Sequence, residues 1–183
     1  MMIEAIRREH GYMVRLLAIL KKKLTALQAE ETINYSLVYE IADYLCNHTE
    51  KTHHPKEDLI YRYYLDHYGM DKTITNLEDD HVQLSEKSHA FLTTVEMILQ
   101  DAIVPTDIFS QQLGDFIRDQ KTHLDIEERE ILPRITDTFT VSDWQALEAQ
   151  WGTQEDDPVF GETIADKYKQ LAERVKGTER EYV

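Results

Sequence analysis

The stretch KTHHPKED, residues 51–58, sets two adjacent histidines before a proline and then two carboxylates. It lies inside a segment whose apolar residues otherwise recur at helical spacing. On a helix, His53 and Glu57 are four residues apart and share one face, about 6 Å apart along the axis. Pro55 cannot donate a backbone hydrogen bond to residue 51, so it should bend or loosen the helix there. Such a distortion would turn His54 towards the face that carries His53 and Glu57, or open a coordination position beside them.

A second pair with the same spacing lies in HLDIE, where His123 precedes Glu127. Working outward from these two pairs, four long segments show helical period. The first runs from about Ile3 to Ala29, with Ile3, Ile6, Met13, Leu17, Leu20, Leu24 and Leu27 as its apolar stripe. The second spans Thr32 to His67, with Val38, Ile41, Leu45, Ile60 and Tyr64 on one face and Gly69 as its C-terminal cap. The third spans Lys72 to Ile103 and is broken by VPTD. The fourth spans Asp107 to Thr136. Short connections make neighbours antiparallel. The expectation is an all-α, up-down-up-down four-helix bundle over residues 1–137. Residues 138–183 read as a short C-terminal helical extension, with a capping signal at Ser142, a turn at EDDPVFG, a second short helix and a frayed tail.

Each long segment places one histidine in its apolar stripe: His10, His53, His81 and His123. Counted from the end of the bundle they share, these four and Glu57 and Glu127 fall within roughly one to two turns of one another at ~1.5 Å per residue. A single histidine on an apolar face is ordinarily a core residue with a hydrogen-bond partner. A buried glutamate is much rarer, because its charge is expensive to desolvate. Four histidines and two glutamates in one layer need a positive charge, and a pair of metal ions supplies it, as in carboxylate-bridged bundle cores. Imidazole and carboxylate suit iron, zinc or manganese. Two carboxylate bridges favour two iron ions, with zinc or a mixed pair as the alternative. His48, His67 and His89 match the faces poorly and read as surface or boundary residues.

Composition narrows the partners. The chain has 183 residues, 42% of them hydrophobic, and a formal charge of −15. That field repels phosphate backbones and argues against nucleic acid as a partner. Cys46 is the lone cysteine, so neither an internal disulfide nor a cysteine-held metal is expected. No apolar run reaches membrane-spanning length, and MMIEAIRREH lacks a signal-peptide pattern, so no membrane contact and a cytoplasmic location are expected. No GxSxG, P-loop or GxGxxG motif is present.

REH ending at His10, HHPKED, EDDH ending at His81 and HLDIEEREILP at 123–133 together resemble the hemerythrin-like, or HHE cation-binding, family. SDWQAL and DDPVFG are similar to a bacterial subgroup with a C-terminal extension. The resemblance implies a four-helix bundle around a non-haem di-iron centre. It makes His10, His53, His81 and His123 imidazole ligands and Glu57 and Glu127 bridges. Two departures stand out. Oxygen-carrying members have a fifth histidine where this chain has Ser85, and an aspartate bridge one residue later than Glu127. The pattern is therefore closer to members that sense oxygen or iron, handle nitric oxide or repair iron centres. His54 is the candidate for the missing coordination position.

The function expected is a metal-binding sensor or small-molecule-binding protein, rather than a dedicated enzyme, that binds, senses or reduces O2, NO or peroxide. Iron storage, delivery or iron-centre repair is one alternative, and a zinc-binding or structural bundle is another. Trp144, Trp151, Phe160 and Tyr168 in the extension either pack on the bundle or make a homodimer contact. Packing is favoured, because amphipathic helices that follow a bundle usually cover it.

Overall fold

The structure is a computed structural model that describes residues 1–152 and 155–181. It is all-helical, with no strand among the described residues. Helix α1 is Met2–Gln28 and ends before Glu30, which turns the chain at φ 59°. Helix α2, Tyr35–Asp43, starts where the Asn34 side chain accepts from the Leu37 N–H at 3.0 Å. It runs without a break into a π-helical segment, Tyr44–His53, and then into α3, His54–Tyr68. Gly69 stops this run at φ 97°, a left-handed backbone that glycine adopts without penalty. Helix α4, Lys72–Leu99, is capped by Asp71, which accepts from the Thr73 and Ile74 N–H groups. Helix α5, Thr106–Ile126, follows Pro105 and continues through a second π-helical segment, Glu127–Ile131, into α6, Leu132–Thr138.

Both π segments end two residues before a proline. The His54 N–H reaches back five residues to the Thr49 carbonyl, and the Leu132 N–H does the same to Glu127. Pro55 and Pro133 follow at once. A proline removes the N–H for the carbonyl four residues back and its ring crowds that carbonyl. A widened turn moves the carbonyl aside and keeps the helix continuous. The bend expected at Pro55 is thus a widened turn spread over residues 44–53. At its last residue, His53, the backbone (φ −97°, ψ −63°) leaves the usual helical values. The widened turn also shifts the helical phase of α3. Ile60 and Tyr61 are fully buried, whereas Tyr64, expected on the core face, is half-buried.

The helices form a bundle in which α1 packs on α5, α2 on α4, and α3 on α4. Its apolar interior is divided in two. One cluster gathers Leu16, Leu20, Val38, Ile41, Phe109 and Leu113 with their neighbours. The other gathers Ile6, Ile60, Ile74, Leu77, Ile131 and Ile135. His10, His53, Glu57, His81, His123 and Glu127, all buried, lie in sequence between members of the two clusters.

The extension packs on the bundle. Helix α7, Val141–Trp151, sends Trp144 and Leu147 into the second cluster. Its cap is Thr140, whose hydroxyl accepts from the Asp143 N–H while Asp143 accepts from the Thr140 N–H; the capping signal expected at Ser142 lies two residues too late. A 3-10 turn, Asp166–Tyr168, leads into α8, Lys169–Glu181, and Tyr168, Leu171 and Val175 join the first cluster. The helix thus continues into the tail expected to fray, whose last two residues, 182 and 183, lie outside the described residues. Phe160 stacks on Tyr12 with ring centroids 4.0 Å apart. Two hydrogen bonds, the first buried and the second partly so, pin the extension to the π segment region: Tyr168 donates to Asp43 at 2.6 Å and Tyr44 to Asp157 at 2.7 Å. Tyr168→Phe, which removes one donor and keeps the ring, is expected to cost about 1.5–3 kcal/mol in urea unfolding, the usual contribution of a hydrogen bond to a charged acceptor.

Candidate metal centre

All six residues singled out by spacing meet in one layer, and His54 joins them. His10 comes from α1, His53 from the end of the first π segment, and His54 and Glu57 from the first turn of α3. His81 comes from α4, His123 from the last turn of α5, and Glu127 opens the second π segment. Their donor atoms fall into two groups. His10, His53 and Glu57 form one; His54, His81, His123 and Glu57 form the other, each with ligand atoms within 4.8 Å of one another. Glu57 belongs to both. Its Oε1 lies 3.0 Å from His10 Nε2 and 3.1 Å from His53 Nε2, while its Oε2 faces His81 Nε2 at 3.5 Å. Glu127 is arranged in the same way. Its Oε2 faces His10 Nε2 at 3.5 Å, and its Oε1 faces His123 Nε2 at 3.2 Å and His81 Nε2 at 3.4 Å. Each carboxylate therefore offers one oxygen to each group.

These approaches are close, yet most make no hydrogen bond. His53 Nε2, Glu57 Oε2, His81 Nε2, His123 Nε2 and Glu127 Oε2 are buried without a hydrogen-bond partner. Leaving such atoms unsatisfied is costly. The spacing suits a shared ion. Two donors each about 2.1 Å from one ion are about 3.0 Å apart at a right angle and about 3.4 Å apart at the tetrahedral angle. The observed 3.0–3.5 Å separations match that range. The residues present therefore fit a pair of cations bridged by two carboxylates.

The outward nitrogens of three histidines are held by carboxylates. His53 Nδ1–H donates to Glu9 Oε2 at 2.6 Å, His10 Nδ1–H to Glu128 Oε1 at 2.7 Å, and His81 Nδ1–H to Asp58 Oδ1 at 2.9 Å. A carboxylate only accepts, so a proton sits on each Nδ1, and it is Nε2 that faces the interior, where its lone pair is available to a cation once that nitrogen is unprotonated. Lys56, itself buried, donates to Glu9. On the far side of that pair opens a cleft of about 960 Å³, whose walls include Arg8, Tyr12, Trp151 and Phe160. Tyr61 donates to Glu127 Oε1 at 2.8 Å.

Sequence reasoning missed Glu9, Lys56, Asp58, Glu128 and Tyr61. Four of these adjoin a residue of the centre in the chain: Glu9 before His10, Lys56 and Asp58 on either side of Glu57, and Glu128 after Glu127. A helical neighbour is turned by about 100° from that residue, so it points at the next helix rather than the centre. Charged residues flanking the histidines and glutamates of the layer were the available signal. His54 is half-buried and stacks on His81 with ring centroids 4.3 Å apart. Ser85, one turn beyond His81, donates to Glu50, which also faces His89 Nε2 at 2.8 Å. His48 and His89 are boundary residues, and His67 is exposed, as expected.

Without cations, protons take over the balancing of charge. Burial alone would lower the His10 pKa, but Glu128 and Glu57 outweigh it and raise it to about 10. His81 follows the same pattern, its burial outweighed by Asp58, Glu127 and Glu57, and reaches about 12. His53 is raised too, burial opposing and Glu57 prevailing. Burial pushes Glu57 and Glu127 up, and the surrounding histidines more than reverse this, so both lie below the usual carboxylate value. Burial, reinforced by His81, lowers His54 to about 3.

The signs fix a pH profile for the metal-free protein. The raised histidines give stability in full below the ordinary value of 6.5 and lose it as pH climbs through about 10 for His10 and about 12 for His81. His54, depressed, gives stability above 6.5 and loses it as pH falls. The carboxylates lose theirs below 4.5. Thermal unfolding of the metal-free chain is therefore expected to show maximum stability close to pH 6.5 and a fall on both sides; a profile flat from 6.5 to 10 would contradict this assignment.

No helix among the described residues is long and apolar enough to cross a membrane. No curated protein and no solved structure matches the chain. The sequence model of one family, described as the hemerythrin HHE cation binding domain, matches residues 1–135. That span contains every residue of the centre, and its description agrees with the cation-binding chemistry of the layer. The chain belongs to the hemerythrin HHE cation-binding domain family.

Proposed function

We propose that this chain holds a carboxylate-bridged pair of iron ions and that the pair binds, senses or reduces dioxygen, nitric oxide or peroxide. The observation that carries the reading is the set of five buried, unpartnered nitrogen and oxygen atoms around two carboxylates: Glu57 belongs to both donor groups, and Glu127 faces His10 of one and His81 and His123 of the other. In this reading His10 and His53 hold one ion, His54, His81 and His123 hold the other, and Glu57 and Glu127 bridge them. His54 takes the role of the histidine absent at Ser85, whose hydroxyl is engaged by Glu50. Iron at both positions would supply one electron per ion and free coordination positions for a small ligand.

The chain's own residues would set the conditions for that chemistry. Two imidazoles on one side against three on the other leave the His10–His53 position with fewer protein donors. The apolar clusters above and below the layer keep bulk water out. Glu9, Glu128 and Asp58 keep the Nδ1 protons in place, which raises the basicity of each ring and fixes its direction. The pairings of α1 with α5 and of α4 with α2 and α3 support an up-down-up-down course for the runs 2–28, 35–68, 72–99 and 106–138. The family match over 1–135 supports a bundle over 1–137 and an extension from 138.

Metal content after anaerobic loading with iron(II) tests the proposal. The parent is expected to retain two ions per chain. Glu57→Ala is expected to retain neither tightly, and His54→Ala to lose one. Glu9→Gln should keep both while weakening affinity about 10- to 100-fold in a chelator competition. A Glu57→Ala variant that binds as much metal as the parent would sink the assignment.

A further inference from the structure

The two bridging carboxylates are not equivalent. Tyr61 lies one turn beyond Glu57 on α3 and is fully buried. Its hydroxyl does not serve Glu57. It crosses to Glu127 and donates to Oε1 at 2.8 Å, while Glu127 is itself fully buried. Oε1 is the oxygen that faces His81 and His123, at 3.4 and 3.2 Å. The Tyr61 ring lies beside His81, with centroids 6.2 Å apart. On Glu57, Oε1 faces the imidazoles of His10 and His53, and Oε2 has no hydrogen-bond partner.

We propose that Tyr61 is a positioning residue that sets the reduction potential of the ion held by His54, His81 and His123, through its hydrogen bond to Glu127. This rests on the two-iron reading above. A carboxylate oxygen has two lone pairs, so Oε1 can face an ion with one and accept the phenol proton with the other. The hydrogen bond draws electron density from the carboxylate and makes it a weaker donor. A weaker donor stabilises the ferric ion less than a stronger one, so the hydrogen bond raises the potential and protects the ferrous state. In this dry layer nothing screens the interaction, and hydrogen bonds to charged groups are among the stronger ones. Glu57 accepts no such bond from a hydroxyl, so the effect falls on one ion of the pair.

The test is a potentiometric titration of iron-loaded protein against redox mediators, followed by the optical spectrum, with one electron removed per iron(II) oxidised to iron(III). Tyr61→Phe keeps the ring and removes the donor. Its iron content should equal the parent's. One of the two midpoints should fall by about 59 mV, a tenfold change in that one-electron equilibrium, and oxidation of the ferrous protein by air should be faster. A second variant guards against a packing effect. Placing 2,3-difluorotyrosine at position 61 keeps the hydroxyl and makes it a stronger donor, so the same midpoint should rise. Midpoints that stay put in both variants, or move in the same direction in both, overturn the proposal. A parent that binds no iron overturns the two-iron reading instead, and iron content reports that separately.

Discussion

Two carboxylates, Glu57 and Glu127, sit fully buried in the middle of an apolar bundle, and most of what surrounds them follows from that. An ionised carboxylate moved from water into such an interior is destabilised by many kcal/mol unless positive charge meets it. The fold meets it from every long helix at once: His10 from α1, His53 and His54 from the run through α3, His81 from α4 and His123 from α5. The layer divides the core into two apolar clusters, and each long helical run contributes to the clusters on both sides of its buried histidine. The same feature makes the centre dry and costly to leave unfilled. In the metal-free chain the imidazoles bear the compensating protons, which is why several of them are held well above their ordinary pKa.

The second device is the pair of widened turns. Each π segment lies on a helix that carries a histidine and glutamate four residues apart, and each closes just before a proline. π-type turns inside helices are frequent at functional sites. The first allows the adjacent residues His53 and His54 to serve different donor groups, which a regular helix, turning about 100° per residue, would not favour. The extension buttresses this segment. Asp43 and Asp157 accept from Tyr168 and Tyr44 at its start, while α7 covers the apolar cluster at the other side of the centre. An extension that reads in the sequence as two modest helices is therefore built into both halves of the core.

The six residues of the buried polar layer were legible because their signal is periodic. Apolar stripes at threes and fours located four faces, the i, i+4 pairs placed His53 with Glu57 and His123 with Glu127, and axial counting put all six in one layer. The all-helical fold followed from the same stripes. Three things were hidden, each for a physical reason. A proline announces that a helix must change, but not whether it bends or widens, so the phase shift that buries Tyr61 and leaves Tyr64 half-buried was unreadable. Glu9, Asp58 and Glu128 act across to neighbouring helices, and that depends on helix rotation, which stripe reading does not resolve. Tyr61 resembles any aromatic core residue until its hydroxyl is seen to reach Glu127.

The measurement that bears most directly on the central claim is metal analysis of the protein as purified, combined with its optical spectrum. A carboxylate-bridged pair held by five imidazoles predicts two irons per chain together with visible bands from histidine-bound or oxo-bridged ferric iron. One zinc per chain and no visible absorption would contradict it.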